Sequence, residues 1–235
     1  ALTPQAWQAL LKTLEEPPEH VIFVLATTEL DRVPETIQSR CQTFAFKKPS
    51  HEVLKALVID VAKREGAVLA PAGAELIALM GEGSFRDTLG ILQKVLTISH
   101  DSTLSEAEVA VVVGAPRAQT VNNFLEAVAH KDVAAALGCF HEALKAGVEP
   151  RVFILLVLAK VRAVLLLRFA PSLADMLAQQ FSDTDLTVLT TLAGKEGAGI
   201  NSAVLAECIT ALLETTRAPL PQIPLELALY RVLSE

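Results

Sequence analysis

The chain has 235 residues, 51% of them hydrophobic, 20% charged and only 5% aromatic, with 20 basic against 27 acidic side chains and a net charge of -7. The apolar run Val152 to Ala159 falls far short of the about 20 residues that span a bilayer, and Cys41, Cys139 and Cys208 form no C-x-x-C pair, which argues against a zinc module or disulfide framework and fits a reducing cytoplasm. Net acidity speaks against a chain that grips nucleic acid by itself; the length allows one to three domains, and area scaling gives a folded surface of about 10,000 Å².

Thr3-Pro4 reads as an N-cap followed by Pro in the first turn; Leu10, Leu11 and Leu14 share one face, and Pro17-Pro18 ends the helix. Val21 to Ala26 is a continuous apolar run rich in β-branched residues, the pattern of a strand covered on both faces in a parallel α/β sheet. Pro34 to Arg40 allows a short helix, and Gln42-Thr43-Phe44-Ala45-Phe46 alternates like a second strand. Two strands make no stable sheet alone, so this α/β layer is expected to be incomplete.

From Ser50, a plausible N-cap, the pattern turns helical. Val53, Leu54, Leu57, Val58 and Val61 repeat at helical spacing, a second helix runs from about Ala72 to Met80, and a third starts near Ser84. The capping box Ser105-x-x-Glu108 announces a fourth. Beyond Gly114-Ala115-Pro116 helix follows helix, broken at Gly147 to Pro150, Ala170-Pro171, Gly194 to Gly199 and Pro219-Leu220-Pro221. The segment Arg151 to Phe169 is more apolar than one amphipathic stripe requires, which fits a helix buried on most sides or packed on another subunit. The fold class is mainly α, with an α/β portion at the N-terminal side.

Leu10-Leu11-Lys12-Thr13-Leu14-Glu15-Glu16-Pro17-Pro18, then Ala26-Thr27-Thr28 and then Ser39-Arg40-Cys41 follow one another at the N-terminal end. Together these strings closely resemble the clamp-loader branch of the AAA+ ATPases, in particular the gamma/tau subunits of bacterial DNA polymerase III. Gly83-Ser84-Phe85-Arg86-Asp87 and Ile223 to Leu229 extend the resemblance over most of the chain. It implies three parts: residues 1–48, the C-terminal part of an AAA+ ATPase domain; 49–115, a helical lid; and 116–235, an all-α collar. It also implies roles. Thr28 resembles the sensor 1 residue, with Thr27 as the fallback; Arg40 resembles an arginine finger acting in trans on a neighbour's ATP; Arg86 resembles sensor 2, a contact to nucleotide in cis. Cys41 is assigned to packing beside the finger.

These residue types suit phosphoryl transfer, which needs a polar group to place the attacking water and cations to neutralise the γ-phosphate. The planar guanidinium forks onto phosphate oxygens in a way that an ammonium does not. Each has a plainer reading: a threonine ending a strand, a solvated arginine, and a helix N-terminus at Ser84 with Asp87 complementing the dipole. Lys12, Glu15, Glu16 and Glu19 read as a solvated helix end, Gly194, Gly197 and Gly199 as an interhelical turn, and His20, His51, His100, His130 and His141 lack any metal-ligand spacing.

The family's G-x-x-x-x-G-K-[ST] loop and its D-E magnesium motif occur nowhere in these 235 residues. The chain is therefore expected to be a piece of a longer subunit whose ATP and magnesium are held elsewhere, and to bind neither tightly by itself. The implied partners are the other subunits of a pentameric ring, the sliding clamp and, through the assembled complex, primed DNA, with self-association expected through the collar helices. Two alternatives stay open: the delta-prime clamp-loader subunit, which lacks ATPase activity and resembles G-S-P-G where this chain has Arg86-Asp87, and a helical interaction module unrelated to ATP.

Overall fold

The computed structural model describes residues 2–98, 103–178, 180–194 and 199–233; His100 and Gly197 lie outside them. The chain divides into two compact units, Ala1–Lys47 and Lys48–Glu235.

In the first unit, α1 (Pro4–Glu15) starts where its cap dictates, with the Ala6 N–H donating to Thr3 Oγ1 at 3.3 Å. It ends at Glu16, ahead of the two prolines. A 3-10 turn, Leu30–Arg32, leads to the one-turn helix α2 (Glu35–Gln38), whose Ile37 is fully buried. The two expected strands are not formed. Ile22 and Val24 stand 89% and 86% exposed, Phe44 and Phe46 67% and 95%. The reason is physical: a strand closes its backbone hydrogen bonds on neighbours, and neither segment has a ladder partner among the described residues.

The second unit is helical and has two buried cores. The first is built from α3 (His51–Arg64), α4 (Pro71–Met80), α5 (Phe85–Ile98) and α6 (Glu106–Val113) around Val58, Ile77, Leu92, Val95, Leu104 and Val109. Ser50 caps α3 through the Val53 N–H, and the Ser105 box closes in both directions, Glu108 N–H to Ser105 Oγ at 3.3 Å and Ser105 N–H to Glu108 Oε2 at 2.8 Å. Gly114 ends α6 with φ 67°, a left-handed cap that glycine reaches without strain. A two-residue parallel pair that periodicity does not reveal, β1 (Val68–Leu69) with β2 (Thr103–Leu104), pins the segment before α4 beside the one before α6 in the register Val68 to Thr103 and Leu69 to Leu104.

The second core lies among α7 (Ala118–Ala129), α8 (Val133–Lys145), α9 (Pro150–Phe169), α10 (Ala174–Ala178), α11 (Asp183–Gly194), α12 (Ser202–Thr215) and α13 (Ile223–Leu233). Phe153 of α9 meets Phe124 edge-on at 5.2 Å between ring centroids and Phe140 at 5.1 Å. Such pairs contribute roughly 0.5–1.5 kcal/mol beyond the area they bury. The apolar excess of α9 is largely spent here, since Phe153, Ile154, Val157, Val161, Ala163 and Val164 are buried within the chain itself. Arg168 near its end donates to the carbonyls of Leu192, Ala193 and Ile200, which satisfies the open end of α11.

Gly199 is not a loose turn. Its N–H donates to the Ala129 carbonyl at 2.8 Å, and an added Cβ would lie 2.3 Å from the Val128 carbonyl oxygen. It is the point at which the chain closes onto the end of α7.

Candidate functional site

Thr27, Thr28 and Arg40 belong to the first unit and Arg86 to the second. The segment that precedes Thr28 forms no regular element and no strand pairing among the described residues, so Thr28 does not sit at the end of a formed strand. Its exposed hydroxyl makes no hydrogen bond among the described residues. Thr27 is engaged instead: its Oγ1 accepts from the Glu29 N–H at 3.0 Å, turning the chain into the Leu30–Arg32 turn.

Arg40 follows α2 directly. Gln38 anchors that helix by donating from Nε2 to the carbonyls of Leu30 and Val33 at 3.2 and 2.8 Å. The Arg40 side chain then runs back along α2, Nη1 donating to the Thr36 carbonyl at 2.7 Å, and reaches α1, where Nη2 donates to Glu15 Oε1 at 2.6 Å. Glu15 is thus more than a solvated helix end. With the two side chains 38% and 47% exposed, the pair contributes only about 0.2–1 kcal/mol. Cys41 beside it is half-buried and free.

Arg86 lies in the first turn of α5 and is exposed; among the described residues its guanidinium has no hydrogen-bond or ion-pair partner. The loop that presents it is tightly built. Glu82 and Gly83 both take positive φ, 47° and 82°, the Ser84 N–H donates to the Gly81 carbonyl at 2.8 Å, and Ser84 Oγ accepts from the Asp87 N–H at 3.3 Å. Thr88 donates back to the Ser84 carbonyl at 2.7 Å, and a Cβ on Gly81 would fall 1.9 Å from Thr88 Oγ1. Only glycine at position 81 lets that threonine seal the turn. Glu82 in turn accepts both Nη2 and Nε hydrogen bonds from Arg151 of α9.

A polar cluster that sequence reasoning did not find lies on α7, α9 and α11. Lys160 Nζ, with its side chain 6% exposed, sits 2.6 Å from Asp185 Oδ1 and 2.7 Å from Asn122 Oδ1, while Asn122 Nδ2 donates to Asp185 at 2.8 Å. Burial lowers the Lys160 ammonium below its ordinary value, and the neighbouring Asp185 pulls it back up. The available signal was a lone lysine in the otherwise apolar stretch Val152 to Val161, which has to find an acid; nothing in the sequence says which. Among the described residues no group of three His, Cys, Asp or Glu side chains converges as a metal site, and no helix is long and apolar enough to cross a membrane.

Residues 1–50 match the family model described as "DNA polymerase III, delta subunit", and residues 104–235, more than half of the chain, that described as "DNA polymerase III subunits gamma and tau domain III". The DNA polymerase III subunit tau of Bacillus subtilis is 35% identical over 172 residues, 73% of this chain and 30% of that protein. The tau subunit of Escherichia coli is 30% identical over 171 residues, 73% of this chain and 26% of that one. The gamma/tau subunit of Mycobacterium tuberculosis H37Rv is 29% identical over 232 residues, 99% of this chain and 40% of that one. Among solved structures, a Bacillus subtilis DNA clamp loader delta protein matches with a TM-score of 0.43 at 16% identity, covering 97% of this chain and 71% of that chain. The chain thus spans well under half the length of these curated relatives. The match over residues 104–235 decides between the two branches that the motifs left open: the chain belongs to the DNA polymerase III gamma/tau family.

Proposed function

We propose that the chain is the sensor, lid and collar part of a clamp-loader subunit, an ATP-driven component of the DNA polymerase III holoenzyme that places the sliding clamp on primed DNA. The reading is supported most by one observation: Arg40, in a Ser-Arg-Cys string of a gamma/tau family member, is held at the surface by partners weak enough to release it. In this reading Arg40 reaches the ATP of a neighbouring subunit, Thr28 orients the attacking water with Thr27 shaping the turn beneath it, and Arg86 senses the nucleotide of its own subunit. The segment of Val21 to Ala26 becomes a paired strand when the rest of the ATPase domain is present, which brings Thr28 to a strand's carboxyl end, where open α/β sheets take their ligands. Residues 1–48 close the ATPase domain, 49–115 form the lid and 116–235 the collar.

The partners are the other subunits of a pentameric ring, the clamp and, through the assembled complex, DNA, in the cytoplasm. With α9 spent internally, collar contacts fall to α12 and α13, where Ile209, Leu213, Leu227 and Tyr230 are 44%, 67%, 43% and 49% exposed. ATP and magnesium are held by the phosphate loop and D-E motif of the complete subunit; these 235 residues contain neither string. A titration of this chain with ATP is expected to show no micromolar affinity, and saturation in that range overturns this division of labour.

The reading is tested in a complete gamma/tau subunit that carries these residues together with a phosphate loop, assembled with its partners. Thr28→Ala is expected to slow ATP hydrolysis by about 10²-fold at unchanged nucleotide affinity, the loss seen when one positioned polar group is removed. Arg86→Ala is expected to weaken nucleotide affinity as well. Unchanged rates and affinities in both variants would favour the helical module without a role in ATP chemistry.

A further inference from the structure

A cleft of about 530 Å³ opens between the lid helices α4 and α6 and the collar helices α7, α9 and α11. Its volume suits a small molecule. Its apolar walls are formed by Leu76, Leu79, Leu156, Met176 and Phe181, and among its polar groups Glu106 of α6 lies close enough to the buried Lys160–Asp185 pair to feel both charges.

The charge balance of that place selects the ligand. Lys160 is already spent, 2.6 Å from Asp185 and 2.7 Å from Asn122. Glu75, also on the cleft wall, is matched by His51 and Lys55. Glu106 is different: it is half-buried and has no hydrogen-bond or ion-pair partner among the described residues. Burial first, and then the repulsion of Asp185, push its carboxyl above the usual carboxylate range, with only the committed Lys160 opposing. This is the signature of an anion short of a counter-charge inside an apolar recess. Arg117 and Arg162, which also line the cleft and have no hydrogen-bond or ion-pair partner among the described residues, are exposed and are not among the charges acting on Glu106.

We propose that this cleft is a binding site for a small amphipathic cation, an apolar or aromatic body carrying one ammonium or amidinium group, with the Glu106 carboxylate as the anchor for the charge. The body lies against Leu79, Leu156 and Phe181; the head supplies the hydrogen bonds that Glu106 lacks. Because lid and collar each contribute one wall, such a ligand bridges the two helical layers without touching Arg86.

The test is a ligand series on the full chain followed by saturation-transfer NMR and calorimetry: 4-phenylbutylamine, its alcohol isostere 4-phenylbutan-1-ol, and 4-phenylbutanoate. The amine is expected to saturate with a dissociation constant in the millimolar range, as befits a ligand of about eleven heavy atoms, and the other two to bind at least about tenfold more weakly. Glu106→Gln, which leaves the Ser105–Glu108 capping box intact, is expected to remove the preference for the amine. Ala107→Trp, at an exposed position on the cleft wall, is expected to abolish binding of all three with the helical circular dichroism unchanged. The proposal is overturned if the amine fails to saturate at tens of millimolar, if the alcohol or the carboxylate binds as well as the amine, or if the amine binds Glu106→Gln as it binds the native chain.

Discussion

Arg40→Ala, introduced into a complete gamma/tau subunit and assembled with its partners, is expected to lower ATP turnover by about 10³-fold or more while leaving nucleotide affinity of that same subunit unchanged. A guanidinium supplied in trans stabilises charge on the transferring phosphoryl group and contributes about 10³ to 10⁵ in rate, which corresponds to roughly 4 to 7 kcal/mol of barrier. Arg40→Lys is expected to recover little of the loss, since a point-charge ammonium on a flexible stem does not fork onto two oxygens. The geometry adds a second arm. Glu15 holds the guanidinium at 2.6 Å in the chain described here, so Glu15→Gln frees the side chain at a cost of less than about 1 kcal/mol and is expected to leave turnover within a few-fold of the native rate. Single-turnover hydrolysis separates these outcomes, and a native rate in Arg40→Ala would remove the finger assignment altogether.

Lys160→Met is expected to destabilise the helical unit by about 3–5 kcal/mol, the usual cost of leaving one member of a buried pair uncompensated. Asp185, with its side chain 5% exposed, would keep only the Asn122 amide as a partner. For a unit of this size the melting temperature should fall by roughly 6–20 °C, measured by circular dichroism. Removing both charges, Lys160→Met with Asp185→Leu, is expected to restore most of the loss. The basis is the desolvation of both charges, which offsets most of their mutual attraction: a buried pair contributes little net free energy, and the damage comes from breaking it. A double variant as unstable as the single one would show that the cluster acts through packing rather than through charge.

The parts of the fold that were legible in the sequence are those governed by local chemistry. Thr3, Ser50 and Ser105 announce helix starts by side-chain caps, and each cap is present. The periodicity from Val53 to Val61 likewise marks a real helix. Pairing over distance was not legible. The run Val21 to Ala26 has the composition of a buried strand, but a strand exists only with neighbours, and in the chain described it stays open. The β1–β2 pair went unseen for the opposite reason: two residues per strand carry no period, and the pairing depends on the packing of α4 against α6, the helices that follow the two strands.

The candidate site divides along the same line. The short strings around Thr28, Arg40 and Arg86 were readable because they are local, whereas the partners of those strings were not. Glu15 lies 25 residues from Arg40 and Asp185 lies 25 from Lys160, and both contacts arise from tertiary packing. A lysine amid apolar neighbours signals that an acid is needed; the fold alone names it.

The bridge between Glu82 and Arg151 ties the turn before Arg86 to the first turn of α9. Its two hydrogen-bonded guanidinium nitrogens resist sliding, yet Glu82 is 51% exposed, so the whole connection is worth no more than about 1 kcal/mol, under twice thermal energy. In mechanical terms it is a soft detent: α5 cannot swivel about its first residue without either dragging the head of α9 along or letting go of it, and letting go is cheap enough to happen many times during a single slow event.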